Sequence, residues 1–145
     1  MTRLLCLWLG LMLILTACSR PDDEQQIRDA IKRMADAVEA QRPRDLVADV
    51  AEDFIGPTPQ VDREYVRNTA RIMMLRNQTI RVVITGIDVQ LQSDDRAGVT
   101  VNTVLTGGSG LFPERGQRVE FDSTWRKIDN RWQVVRADWD QRYGF

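Results

Sequence analysis

Few kinds of side chain in this 145-residue chain can act as acids, bases, nucleophiles or metal ligands. There are two cysteines, Cys6 and Cys18, and no histidine. Without histidine there is no Ser-His-Asp or Cys-His catalysis, and the usual histidine-cysteine zinc sites are also lost. No catalytic residue, metal or cofactor is therefore assigned. What remains is carboxylates, arginines, two lysines (Lys32 and Lys127), hydroxyls and two phenols, Tyr65 and Tyr143. A carboxylate facing a phenol in a dry pocket can still move a proton without histidine, and Asp138 with Tyr65 is the pair that could do so. The other carboxylate runs read otherwise: Asp22-Asp23-Glu24 as tether, Glu52-Asp53 as a solvated helix end, Asp94-Asp95 as turn chemistry. None has the spacing of a calcium loop. The segment from Gly107 to Pro113 is glycine-rich, but it lacks a Gly-Lys-Ser/Thr ending and does not lead into a helix. It reads as a rim loop, with Leu111 and Phe112 at its tip as a contact for a partner.

A polar constellation emerges when the last two strands are paired. Asp129-Asn130 has the chemistry of a two-residue hairpin turn. Setting Ile128 opposite Arg131 places Trp125 opposite Val134, Ser123 opposite Arg136 and Phe121 opposite Asp138 on one face. The other face then holds Glu120 with Trp139, Asp122 with Ala137 and Thr124 with Val135. The first face is the more apolar and faces the core. Arg136 and Asp138 would then be charges on an apolar face, costly unless paired. Two readings stand. Ser123, Arg136 and Asp138, with Tyr65, line a cavity and hold a polar group of a ligand; or Arg136 and Asp138 pair at the sheet rim. Trp125, Trp132 and Trp139 read as core, with ligand stacking as the alternative.

The elements that must position these residues follow from periodicity. Ile27, Ala30, Ile31, Met34, Ala35 and Val38 make one helical stripe from Gln25 onward. Pro43 suits the first turn of a second helix, expected to run to about Asp53. Phe54 to Pro59 is a loop. Asp62 is a good N-cap for a third helix to about Arg76, with Tyr65, Val66, Thr69, Ile72, Met73 and Leu75 as inward candidates. Four strands follow: 79–92, broken near Gly86, 97–106, 117–128 and 131–140. The expected fold class is α+β, three N-terminal helices packed on a curved antiparallel four-stranded sheet.

Residues Leu4 to Leu15 form an apolar run preceded by Arg3. It is too short to span a bilayer, which takes roughly 20 residues, and has the proportions of a signal peptide's apolar region. Leu15-Thr16-Ala17-Cys18 follows and resembles the bacterial lipobox. That resemblance implies cleavage before Cys18, acylation of its thiol with chains of the palmitate class, and no free thiol in the mature chain. Residues 1–17 are then signal peptide, 18–24 a lipidated tether and 25–145 the domain. Two or three acyl chains, at about 0.8 kcal/mol per buried CH₂, make such an anchor effectively permanent. Ser19 stands where an aspartate commonly marks inner-membrane retention. The same resemblance thus implies the outer membrane, facing the periplasm. After Cys18 the chain carries 19 basic against 21 acidic side chains, since Arg3 is the one charge before it. A near-neutral domain gives no electrostatic footprint for nucleic acid.

The order of elements, and the ending Trp125-Arg126-Lys127-Ile128-Asp129-Asn130-Arg131-Trp132-Gln133-Val134-Val135, resemble the nuclear transport factor two-like superfamily, which includes ketosteroid isomerase-like proteins. The resemblance implies a cone-like, cystatin-like roll with an apolar pocket, and no particular reaction. The function expected is an envelope lipoprotein that binds a small apolar ligand or a protein partner without catalysis. The alternatives are a ketosteroid isomerase-like enzyme with a carboxylate base, and a structural or assembly lipoprotein acting through its surface, as a homodimer for instance.

Overall fold

The computed structural model describes residues 20–108 and 114–143. The leader, Cys18, Leu111, Phe112 and the side chain of Tyr143 lie outside the described residues. The elements in order are α1 (Arg20–Glu39), α2 (Pro43–Leu46), β1 (Val50–Ile55), α3 (Arg63–Arg76), β2 (Thr79–Leu91), β3 (Arg96–Gly108), β4 (Glu114–Ile128) and β5 (Arg131–Tyr143). One sheet runs β1-β5-β4-β3-β2. Its neighbours are antiparallel except β1, which lies parallel to β5. The helices cover one face of the sheet. The described core residues and those packed against them lie between Ile27 and Ala137.

The predicted stripe of α1 packs as expected, with Ile27, Ala30 and Ile31 buried against Val99, Trp125 and Val134 in one core. The helix begins at Arg20, however, so Asp22-Asp23-Glu24 is not tether. Asp22 and Asp23 sit in the first turn, where carboxylates favour the N-terminal end of the helix dipole. Asp23 also clamps α1 to the β4–β5 hairpin. It accepts hydrogen bonds from Lys127 Nζ at 2.7 Å and Trp132 Nε1 at 3.0 Å. At the other end of α1, Glu39 accepts the backbone N–H of Val82 at 2.8 Å.

The second helix is corrected to one turn, and the sheet gains a fifth strand where four were expected. Val50 and Ala51 suit a helix face as well as a strand. The exposed edge of β5 decides between them: Val134 donates its backbone N–H to Asp49 at 2.9 Å, and Val50 and Ile55 take partners on β5. Just before β1, the Asp49 carboxylate is only 5% exposed and is met by Arg33 at 3.1 Å and Arg131 at 3.3 Å. That pairing is what makes a buried charge tolerable there. Behind β1, Gly56 donates to Val61 O, and a Cβ at Gly56 would meet Val61 Cγ1 at 2.4 Å, so only glycine fits this tight loop.

Asp62 caps α3 as predicted, accepting the Tyr65 N–H at 2.7 Å. The inward face differs from expectation. Met74 is the buried residue and Val66 packs against the core. Tyr65, Ile72 and Met73 are about half exposed (49%, 49%, 51%) and Leu75 is 79% exposed. Arg63 ties the start of α3 to Val47 O at 3.0 Å and to Glu52 at 2.8 Å.

In the hairpin, Asp129 and Asn130 adopt φ of 48° and 63°, the left-handed pair that a tight two-residue turn requires. The expected register holds from Ile128↔Arg131 to Trp125↔Val134 and then slips by one residue at a bulge. Beyond it the partners are Thr124↔Arg136, Ser123↔Ala137, Asp122↔Asp138 and Phe121↔Trp139. A second bulge lies between Ile84 and Gly86, where the sequence marks a break. Such bulges bend a strand and sharpen its twist, which curves the sheet around the helices.

Candidate functional site

Between the helices and the concave face of the sheet lies an apolar cavity of about 290 Å³. α1 contributes Ile31, Met34, Ala35 and Val38; α3 contributes Val66; and the sheet contributes a wall that includes Val101, Phe121, Trp125 and Trp139. Phe121 and Trp139 meet with ring centroids 6.4 Å apart at a tilted 55°, within the range for favourable aromatic pairs. The side chains meet there because inward positions on the strands are apolar by alternation, and the β4–β5 bulge turns Ala137 and Trp139 to the inside.

The lining hydroxyls, Ser123 and Thr103, are engaged with the protein itself. Ser123 Oγ donates to Val99 O at 3.1 Å and accepts from Trp125 Nε1 at 3.0 Å. Thr103 Oγ1 donates to Val119 O at 3.1 Å. Both hydroxyl protons are therefore used on backbone carbonyls, and the buried indole N–H is satisfied. Among the described residues that line the cavity there is no carboxylate, phenol, thiol or cation.

Of the predicted site residues, Ser123 alone lines this cavity. Arg136 and Asp138 are corrected to the opposite, convex face, because the bulge reverses the inward-outward alternation beyond Val134. There they pair with each other at 3.3 Å, with side chains 57% and 50% exposed. They border a shallow polar groove shared with Asp88, Thr100 and Asp122, where Thr100 Oγ1 donates to Asp122 at 2.6 Å. Charges so exposed are hydrated and screened, and such pairs contribute roughly 0–1 kcal/mol. Tyr65 is also corrected: it lies on the exposed side of α3 and does not line the cavity, so no Asp138–Tyr65 pair exists. The reading of Trp125 and Trp139 divides, since Trp125 is core and Trp139 is also cavity wall. The sequence marks Trp139 only as a large residue on a strand, and assigning its face requires knowing the bulge.

Among the described residues no helix is long and apolar enough to cross a membrane. No group of three or more carboxylates, thiols or imidazoles among them could hold a metal ion.

No protein-family model matches the sequence, and no curated protein matches it either. Solved structures do match in shape. A proposed dehydratase of the nuclear transport factor two-like family from Streptomyces avermitilis superposes with a TM-score of 0.72 at 18% identity, over 87% of this chain and 100% of that one. A hexachlorocyclohexane dehydrochlorinase from Novosphingobium barchaimii gives 0.71 at 12% identity, over 86% and 89%. A cystatin-like protein of unknown function from Nostoc punctiforme gives 0.66 at 15%, over 83% and 91%. At these identities the likeness is one of fold: the chain has the nuclear transport factor two-like, cystatin-like architecture.

Proposed function

We propose that this domain is a binding module, held at the cell envelope by acylated Cys18, and that its cavity takes up one small neutral apolar molecule without transforming it. The observation that carries this reading is the apolar cavity of about 290 Å³ with no ionisable side chain among its described lining residues. Such a wall binds by removing apolar surface from water, and it has no group to pay for desolvating an ion. An apolar cavity of about 150 Å³ takes up benzene, so this one suits a molecule of up to about twice that size. One structural neighbour is a hexachlorocyclohexane dehydrochlorinase. The ketosteroid isomerase-like alternative is disfavoured, because a carboxylate base would have to face the cavity and Asp138 faces away.

The test is native mass spectrometry of a soluble form beginning at Ser19, made in its own envelope. A single small adduct is expected on the wild type. It should be absent from Ala35→Phe, which puts a ring into the cavity from α1, while the circular dichroism of the two forms agrees. An adduct retained equally by both forms, or no adduct and no uptake of an apolar dye by the wild type, would overturn the reading.

A further inference from the structure

α3 carries apolar side chains on the wrong side for a core helix. Its inner face is Val66, Ala70 and Met74, spaced four apart. Tyr65, Ile72 and Leu75 share the opposite, outward side at spacings of seven and three, and they remain half to four-fifths exposed. Met73, seven residues after the cavity-lining Val66, lies on that side of the helix and is about half exposed. Arginines flank this ridge. Among the described residues Arg44, Arg71 and Arg76 are exposed and make no ion pair. Arg42, Arg44, Arg67 and Arg71 line one groove between α2 and α3, whose sole carboxylate, Asp45, is bound to Arg42 at 3.2 Å. An exposed apolar ridge bordered by arginines is the composition of a helix that lies in a membrane interface, with long basic side chains reaching up to headgroups.

We infer that the outward face of α3 docks on an anionic lipid bilayer. Tyr65, Ile72 and Leu75 enter the interfacial layer, and Arg71, Arg76 and Arg44 meet lipid phosphates. The charge is complementary, and the anchoring proposed above already holds the domain at a bilayer by the N-terminal end of α1, with α3 beside the other end of that helix, where Gln41 donates to Asn77 O at 2.7 Å. Docking by this face leaves α3 as the wall between the bilayer, the place where an apolar ligand is concentrated, and the cavity that Val66 lines. The inference extends the proposed function from what is bound to where it is exchanged.

Sedimentation with vesicles tests this, using the soluble form from Ser19 so that no acyl chain contributes. The vesicles are phosphatidylethanolamine with 30% phosphatidylglycerol, or phosphatidylcholine alone. Binding is expected on the anionic vesicles, at least tenfold weaker on the neutral ones, and weaker again in high salt. The double variant R71E/R76E should lose at least tenfold, and Ile72→Glu should lose binding too, with unchanged circular dichroism in both because the sites are exposed. Equal binding to both kinds of vesicle, or full binding by either variant, would overturn the inference. The adduct experiment above is independent of it: a retained ligand without vesicle binding sinks the docking face alone, and vesicle binding by a protein that takes up no apolar molecule sinks the cavity reading alone.

Discussion

α1 and α3 are both amphipathic helices on the concave side of one sheet, yet they are held in opposite ways. α1 puts Ile27, Ala30, Ile31 and Ala37 out of water and is pinned at one end through Asp23 and at the other through Glu39. α3 buries Met74 and leaves Tyr65, Ile72, Met73 and Leu75 to solvent. Its contacts go to short neighbours, α2 and β1, rather than to the body of the sheet. Apolar composition alone thus does not make a core helix; what matters is which side the apolar residues occupy once the inner face is chosen. α1 uses its apolar stripe to hold the fold together. α3 spends part of its own on the outside, where the energy remains available for a partner.

The largest expected effect separates the two helices directly. Ile27→Ala deletes a side chain that is fully buried and should cost about 2–5 kcal/mol in urea unfolding. Ile72→Ala removes the same atoms from α3 and should change stability by about 0.5 kcal/mol or less, as exposed substitutions do. Comparable losses at the two sites would erase the distinction, for they would mean that α3 packs inward in solution.

Asp23 sharpens the comparison at the pinned end of α1. The hydrogen bond from Lys127, aided by the one from the Trp132 indole and opposed by burial, lowers its pKa from the ordinary 3.8. A folded carboxylate held below its unfolded value adds stability that is complete above the unfolded pKa and is lost as pH falls through the folded one. Asp23→Asn should therefore cost about 1.5–3 kcal/mol at pH 6, the range for hydrogen bonds to charged groups. The gap to the wild type should close as pH is lowered through and below 3.8. A gap that persists in strong acid would assign the loss to side-chain shape rather than to the carboxylate's charge.

What was legible in the sequence was what a short window determines. The α1 stripe, the Asp62 cap, the Asp129-Asn130 turn and the alternation of the long strands each depend on neighbours a few residues away, and all appear in the fold. What was hidden depends on distant chain. Val50 and Ala51 satisfy a helical or a β period equally, and only the free edge of β5 makes them strand. α3 has apolar residues around much of its circumference, so its period does not select an inner face. The candidate site turned on one residue: no glycine or proline marks the slip between Thr124 and Trp125, yet it inverts everything beyond Val134. Arg136 and Asp138 move to water, while Ala137 and Trp139 move to the cavity. Ser123 keeps its place because β4 itself does not slip.

The smallest effect asks whether α3 is a separable unit. Its first turn is satisfied by the Asp62 carboxylate on the Tyr65 N–H, and removing such a cap costs about 1 kcal/mol. In a helix bound tightly to the core, that loss would be shared: every slowly exchanging amide would speed up together, because each opens only with the whole domain. In a helix held as α3 is, the loss should be local. Asp62→Ala is thus expected to quicken hydrogen exchange about fivefold across Arg63–Arg76, the factor that about 1 kcal/mol represents, and to leave β3 and β4 unchanged. If β3 and β4 quicken equally, α3 opens only with the core, and a face that cannot yield independently of the sheet is a poor entrance to the cavity behind it.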